Sequence, residues 1–176
     1  MDTEPSTLRR LRELRVDALY GKKKHANAAD RKYTWSRNLG LAAVILNIVI
    51  GSTLVVLLEN EFPENLKWIG AILALIAGLA TGLQTFLDLP GKVEGHRDAS
   101  AEYLVVKNEA DRIIAGYGDG VINLDALHRE LSELQEQYNR ITRGARPFHT
   151  NSKDYQRARS GIESGEESYA RSEMGG

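Results

Sequence analysis

The sequence predicts an all-α membrane protein: a two-helix transmembrane hairpin with cytoplasmic helices and a disordered C-terminal tail. Three observations carry this. Residues 39–58 and 68–87 are each 20 residues long and hold no Asp, Glu, Lys, Arg or His. As helices rising about 1.5 Å per residue, each reaches roughly 30 Å, the thickness of a bilayer's hydrocarbon core. Only residues 59–67 separate them, which makes the two spans antiparallel neighbours. Beyond the membrane, a leucine-rich helical seam runs from Leu124 to Ile141. The mean hydropathy of −0.36 over 176 residues hides all of this, because the apolar residues are concentrated in blocks.

The first element, residues 1–38, is a basic arm and pre-membrane helix. It carries ten basic and five acidic residues. Leu8, Leu11, Leu14 and Ala18 recur at helical spacing within Ser6 to Tyr20, with Ser6 or Thr7 as the cap. A solvated, frayed arm is the alternative reading. The first apolar block starts behind this arm and is too long for a signal-peptide core, so it is expected to stay in the protein. Pro63 and Asn60 mark the turn of the 59–67 loop. That loop holds one basic residue, Lys67, against six in the twenty residues before the first span. Basic residues concentrate on the cytoplasmic side, so both termini are expected inside and Glu59, Glu61 and Glu64 outside. Trp35 and Trp68 sit where interfacial anchors belong.

Residues 88–143 form the expected cytoplasmic helical region. Asp88-Leu89-Pro90-Gly91 breaks the second span, and a polar helix follows from His96 to about Ala115. Tyr103, Val106, Ala110 and Ile113 share one face of it, and Gly116, Gly118 and Gly120 interrupt it. Leu124, Leu127, Leu131, Leu134, Tyr138 and Ile141 then follow spacings of three and four, the pattern of a coiled-coil seam. Asn123 caps that helix, and Asp125 suits its first turn. This is a candidate assembly seam, packing either between subunits or against the 96–115 helix. From 144 to 176, Gly, Ser, Arg and Glu dominate, which predicts a mostly disordered tail with at most a short helix near Asp154 to Arg159.

No catalytic site is legible. There is no cysteine, so thiol chemistry, disulfides and thiolate metal sites are excluded. The four histidines, at 25, 96, 128 and 149, show no metal-ligand spacing and read as packing or surface residues. No P-loop, dinucleotide fingerprint or nucleophile elbow appears, and Gly116-Tyr117-Gly118-Asp119-Gly120 reads as a helix-breaking turn. No catalytic, metal or cofactor-binding residue is therefore assigned, and the chain is expected not to be an enzyme. A net charge of −1 gives no reason to expect a nucleic-acid partner.

The informative polar residues lie inside the membrane. Gly70, Ala74, Gly78 and Gly82 recur every four residues in the second span, a small-residue stripe that lets another helix approach closely. Beside it stand Thr81, Gln84 and Thr85. Asn47 of the first span lies about 12 Å from the inner boundary, level with Gly78 and Thr81 of its antiparallel partner. An amide in hydrocarbon needs a hydrogen-bond partner. Asn47 and Gln84 therefore either join helices or, with Thr81 and Thr85, line a water-filled path in an oligomer. Two spans cannot enclose a pore alone, so conduction requires several subunits.

The order of features resembles one family. A His-containing polar helix leads through Trp35 and Arg37 into a span with Gly51-Ser52; a short loop and a second span ending Thr81-Gly82-Leu83-Gln84-Thr85-Phe86 follow. Then comes His96-Arg97-Asp98-Ala99-Ser100-Ala101-Glu102-Tyr103 and more helix. This resembles the SLATT domain family, two-transmembrane effectors associated with SMODS and SLOG bacterial conflict systems, over roughly residues 20–145. The resemblance implies an inner-membrane, multi-pass antiviral effector that oligomerises in the lipid bilayer and permeabilises it. Its trigger would be a separate partner sensor or nucleotide-signalling protein, or a small ligand bound by the cytoplasmic helices, since no sensor domain is recognisable here. The competing expectation is a non-conducting membrane anchor or scaffold that recruits a cytoplasmic partner through the same seam.

Overall fold

Residues 22–39 contain neither glycine nor proline, and the chain stays helical across them. A computed structural model of the chain describes the backbone at residues 4–59 and 64–168, and side chains at 4–52 and 68–168. The expected turn at Asn60 and Pro63 and the last residues of the tail lie outside the described residues. Helix α1 runs unbroken from Ser6–Glu59, so the expected short arm helix and first span are one element. It is followed by α2 (Glu64–Leu87), α3 (Leu89–Gly118), α4 (Leu124–Gly144) and α5 (Ser152–Glu163), and no strand occurs among the described residues.

The chain divides into two units, Met1–Ala29 with Glu94–Gly176, and Asp30–Val93. The first is a polar bundle. Leu8, Leu11, Leu14 and Ala18 of α1 meet Tyr103, Val106, Ala110 and Ile113 of α3 and Leu127, Leu134 and Ile141 of α4 in one core. Each such face follows threes, fours or sevens, so it stays on one side of its helix. Full burial of a leucine contributes roughly 1.5–3 kcal/mol. The arm is therefore a core element, and the frayed alternative is corrected by the complete burial of Leu11 and Leu14. Thr7 does not cap α1. It is buried, its hydroxyl 3.1 Å from Nε2 of His128 on α4.

Two further expectations change. The break after α2 is confined to Asp88, the only described non-glycine residue with positive φ, at 44°. Helix resumes at Leu89, because proline is tolerated in a first turn where its missing N–H needs no partner. At the other end α3 passes through Gly116 and stops at Gly118. Gly120 takes φ 73°, the left-handed conformation that glycine adopts freely.

The tail is also more ordered than its composition predicts. Asn151 and Asp154 form a reciprocal capping box that starts α5. Ala158 and Gly161 are buried, and the Tyr155 ring stacks on Tyr20 of α1 at 5.5 Å between centroids. Past α5, both carboxylate oxygens of Glu167 accept from Lys22 Nζ at 3.0 Å. Ring stacking, small-residue burial and ion pairs hold this segment where large apolar residues are few.

The second unit is the hairpin of α1 from residue 30 onward with α2. Its outer surface is apolar: Leu41, Val44, Ile45 and Ile48 on α1, and Ile72, Leu75, Leu79 and Phe86 on α2, are all exposed. An aqueous protein would bury such residues, so this surface suits hydrocarbon. Both helices contain stretches long and apolar enough to cross a membrane. Trp35 and Trp68 are exposed as interfacial anchors would be.

Candidate functional site: an open polar groove in the apolar hairpin

The hairpin closes on alanines. Ala43 of α1 and Ala77 of α2 are both nearly inaccessible, because small side chains let helix backbones come close. These two buried positions lie off the predicted stripe. Ala74, Gly78 and Gly82 are exposed, and a Cβ placed on Gly70, Gly78 or Gly82 would meet nothing within 4 Å. The stripe is therefore not consumed inside the chain. Ala74, Gly78 and Gly82 instead line a shallow open groove of about 690 Å³, while Gly70 does not reach it.

The polar residues divide between groove and helix contact. Asn47 lines the groove from α1, and Thr81 and Thr85 line it from α2. Asn47 thus stands with Gly78 and Thr81, the level that counting residues along antiparallel helices places it at. Gln84 does not line the groove. It is half-buried and faces Gly40 of α1, where a Cβ would come within 3.5 Å of its Nε2.

The hydroxyls and the amide differ in how they are satisfied. Thr81 Oγ1 donates to the Ala77 carbonyl at 3.0 Å, and Thr85 Oγ1 donates to Thr81 at 3.1 Å. Such bonds back to the preceding turn let hydroxyls sit in a membrane helix at little cost. Their lone pairs still face the groove as acceptors. Asn47 makes no side-chain hydrogen bond among the described residues and offers both a donor and an acceptor. The lining holds no ionisable side chain. It can bind a polar group of another helix, or water and the ions water carries, but it cannot move a proton by acid–base chemistry.

The seam residues lie elsewhere. Leu127, Leu134 and Ile141 are buried in the polar bundle, Leu131 and Tyr138 are partly buried against that core, and Leu124 is exposed. Within one chain the seam is thus occupied by α1 and α3. Leu124 falls off it because the core face of α4 begins with Leu127.

One constellation escaped the sequence reading. His25 and His96 are 71 residues apart in the chain, yet their Nδ1 atoms lie 3.0 Å apart in the core of the polar bundle. Neither spacing nor flanking residues signal such a meeting. The only clue is that each falls on the apolar face of its helix. No group of three or more potential metal ligands occurs among the described residues.

No curated protein and no solved structure matches the chain. A protein-family profile does, over residues 8–173, and its description is SMODS and SLOG-associating 2TM effector domain family 4. The match takes in the polar bundle and the hairpin alike, and it extends the resemblance from 20–145 to nearly the whole chain. With two exposed apolar helices and this match along nearly its whole length, the chain is an integral membrane protein and belongs to the SLATT family of two-transmembrane effector domains.

Proposed function

We propose that this protein is the membrane effector of a bacterial conflict system, and that it oligomerises and permeabilises the inner membrane when a separate sensor or nucleotide signal triggers it. In this reading both termini are cytoplasmic, and the protein acts by assembly in the bilayer rather than by catalysis. The observation that carries the reading is the groove. Asn47, Thr81 and Thr85 line an open furrow floored by Gly78 and Gly82, in a hairpin whose other surface is apolar. An unpaired amide in hydrocarbon is costly, so its place is against another subunit or against water. Several hairpins arranged with their grooves inward would give a conduit with a polar lining, which wets where a bare hydrocarbon wall does not.

The chain lacks cysteine, so single cysteines can report the interface without background. Ala74→Cys and Gly78→Cys should cross-link between subunits in native membranes, whereas Leu75→Cys on the outer apolar surface should not. Cross-linking at Leu75 alone would place the interface elsewhere and remove the basis of the proposal.

One observation favours a second reading, a non-conducting anchor that recruits a cytoplasmic partner. The Thr81 and Thr85 hydroxyls already close on their own helix, as they do where threonine serves packing alone. The anchor reading expects the same cross-links but no change in membrane potential.

A further inference from the structure

Three consecutive lysines, Lys22 to Lys24, stand on α1, and the C-terminal segment seats two consecutive glutamates on the first two of them. Lys22 Nζ donates to both carboxylate oxygens of Glu167 at 3.0 Å. Lys23 Nζ donates to Glu166 at 2.5 Å and lies 3.6 Å from Glu167. The way between Lys23 and the turn passes Gly161, where a Cβ would stand 2.7 Å from Lys23 Nζ. The Lys22 and Lys23 side chains are 25% and 12% exposed, and an ammonium drawn that far from water needs an anion beside it.

Little else holds the glutamates in place. The buried residues of α5 are Asp154, Ala158 and Gly161, and none is a large apolar side chain. The Tyr155 stack on Tyr20 and the bond from Asn27 Nδ2 to the Asp154 carbonyl, at 3.1 Å, anchor only the start of the helix. The turn beyond α5 rests on the two ion pairs, and ion pairs near a surface yield to competing ions.

We propose that Lys22 and Lys23 form an anion-binding site on α1 that Glu166 and Glu167 occupy as internal stand-ins, and that a soluble phosphate-bearing anion displaces them and frees the segment after α5. Two neighbouring carboxylates set two negative charges against two ammoniums, as the paired phosphates of a diphosphate would. A phosphate group brings more charge and more acceptor oxygens than a carboxylate, so it competes well at a lysine. The hydrogen bond from Lys23, with its charge and that of Arg157 on α5, holds the Glu166 carboxyl below its ordinary 4.5. The same cations would face the incoming anion. Residues 24–38 separate the site along α1 from the first apolar stretch, which favours a soluble source over a lipid headgroup. The site gives the phosphates of a nucleotide signal a place on the chain; that step rests on the proposed function, whereas anion binding itself does not depend on conduction.

The test is calorimetric titration of the full-length protein, in phosphatidylcholine nanodiscs at fixed ionic strength, with pyrophosphate. Glu166→Gln combined with Glu167→Gln should bind pyrophosphate about tenfold more tightly than the wild-type protein, because the internal competitor is gone. Lys22→Gln combined with Lys23→Gln should abolish binding. Hydrogen exchange of the wild-type protein gives a second reading, since the amides of Gly165, Glu166 and Ser168 are hydrogen-bonded within the turn. Pyrophosphate should speed exchange over residues 164–168 beyond the effect of sodium chloride at equal ionic strength. A glutamine variant that binds no more tightly than wild type, or exchange that answers salt and pyrophosphate alike, overturns the site. Opening in phosphatidylglycerol nanodiscs without pyrophosphate would make a lipid headgroup the ligand and overturn the soluble source. Neither reading involves the membrane potential, so failure of the site and failure of the proposed function are told apart.

Discussion

Tyr103 packs its ring directly onto the backbone of Gly21: a Cβ at position 21 would stand 2.8 Å from two of the ring carbons. The ring cannot yield. Tyr103 is buried, and its hydroxyl is tied to Thr142 Oγ1 at 3.0 Å. Glycine here permits α1 and α3 to approach within the thickness of one aromatic ring.

Gly21→Ala should therefore destabilise the polar bundle by about 1–3 kcal/mol through overpacking, although alanine is the better helix former by about 1 kcal/mol. Gly118→Ala, where a Cβ meets nothing within 4 Å, should cost nothing. Unfolding followed by near-ultraviolet circular dichroism of the tyrosines separates the two. Equal midpoints would show that the Gly21 contact is not tight in solution.

Truncation within the seam should grade with burial. Leu127→Ala removes a wholly buried side chain and should cost about 2–5 kcal/mol, whereas Leu124→Ala, at 46% exposure, should cost well under 1. Denaturant titration of the two variants checks this. A large loss at Leu124 would indicate that another subunit covers it in the membrane.

Acid should weaken the polar bundle in two separable windows. His25 has a lowered pKa in the folded state, so its contribution is present above 6.5 and is lost as pH falls from there toward 4. Asp111 acts lower down. Burial pushes its carboxyl up, but hydrogen bonds from Lys107 and Arg15 outweigh burial and hold it below its ordinary 3.8. Its contribution is present above that value and is lost as pH falls further. Asp111→Asn should thus lower stability at neutral pH and flatten the profile only at the acid end, leaving the His25 window unchanged. A midpoint-against-pH series on Asp111→Asn and on His25→Gln reads the two windows, and a single merged window would contradict the assignment.

The ordering of the tail can be broken at its cap. Asn151→Ala removes the side chain that accepts from the Asp154 amide at 2.9 Å, and such caps contribute about 1 kcal/mol. Limited proteolysis should then cut within residues 152–163 at protease levels that leave the wild-type protein intact. Unchanged resistance would mean that the Tyr20–Tyr155 stack and the Lys22–Glu167 pair suffice to hold α5.

The pattern of what could be read from sequence follows from physics. The spans were legible because 20 uncharged residues have few other uses, and Leu127, Leu134 and Ile141 because a buried helix face repeats. The polar groove was legible in part. Asn47 and Thr81 share it as their depth implies, but Gln84 points to Gly40, since depth along a helix does not set rotation about its axis. The continuity of α1 was within reach, since residues 22–39 lack any helix breaker. The His25–His96 contact was not, because tertiary packing alone brings those rings together. Order in the tail was hidden for a related reason: Ala158, Gly161 and paired charges do not announce burial in composition.

The central claim is that the groove lines a path through the membrane. The direct measurement is the membrane potential of bacteria, read with a voltage-sensitive dye, after induction of the protein, alone and together with the genes that flank it. The wild-type protein should depolarise the cells promptly. Asn47→Leu combined with Thr81→Val, which makes the lining apolar without adding bulk at Gly78 or Gly82, should delay or abolish depolarisation at equal membrane abundance. Depolarisation by the double variant as fast as by the wild-type protein would contradict the account, because polarity at Asn47 and Thr81 would then have no part in conduction.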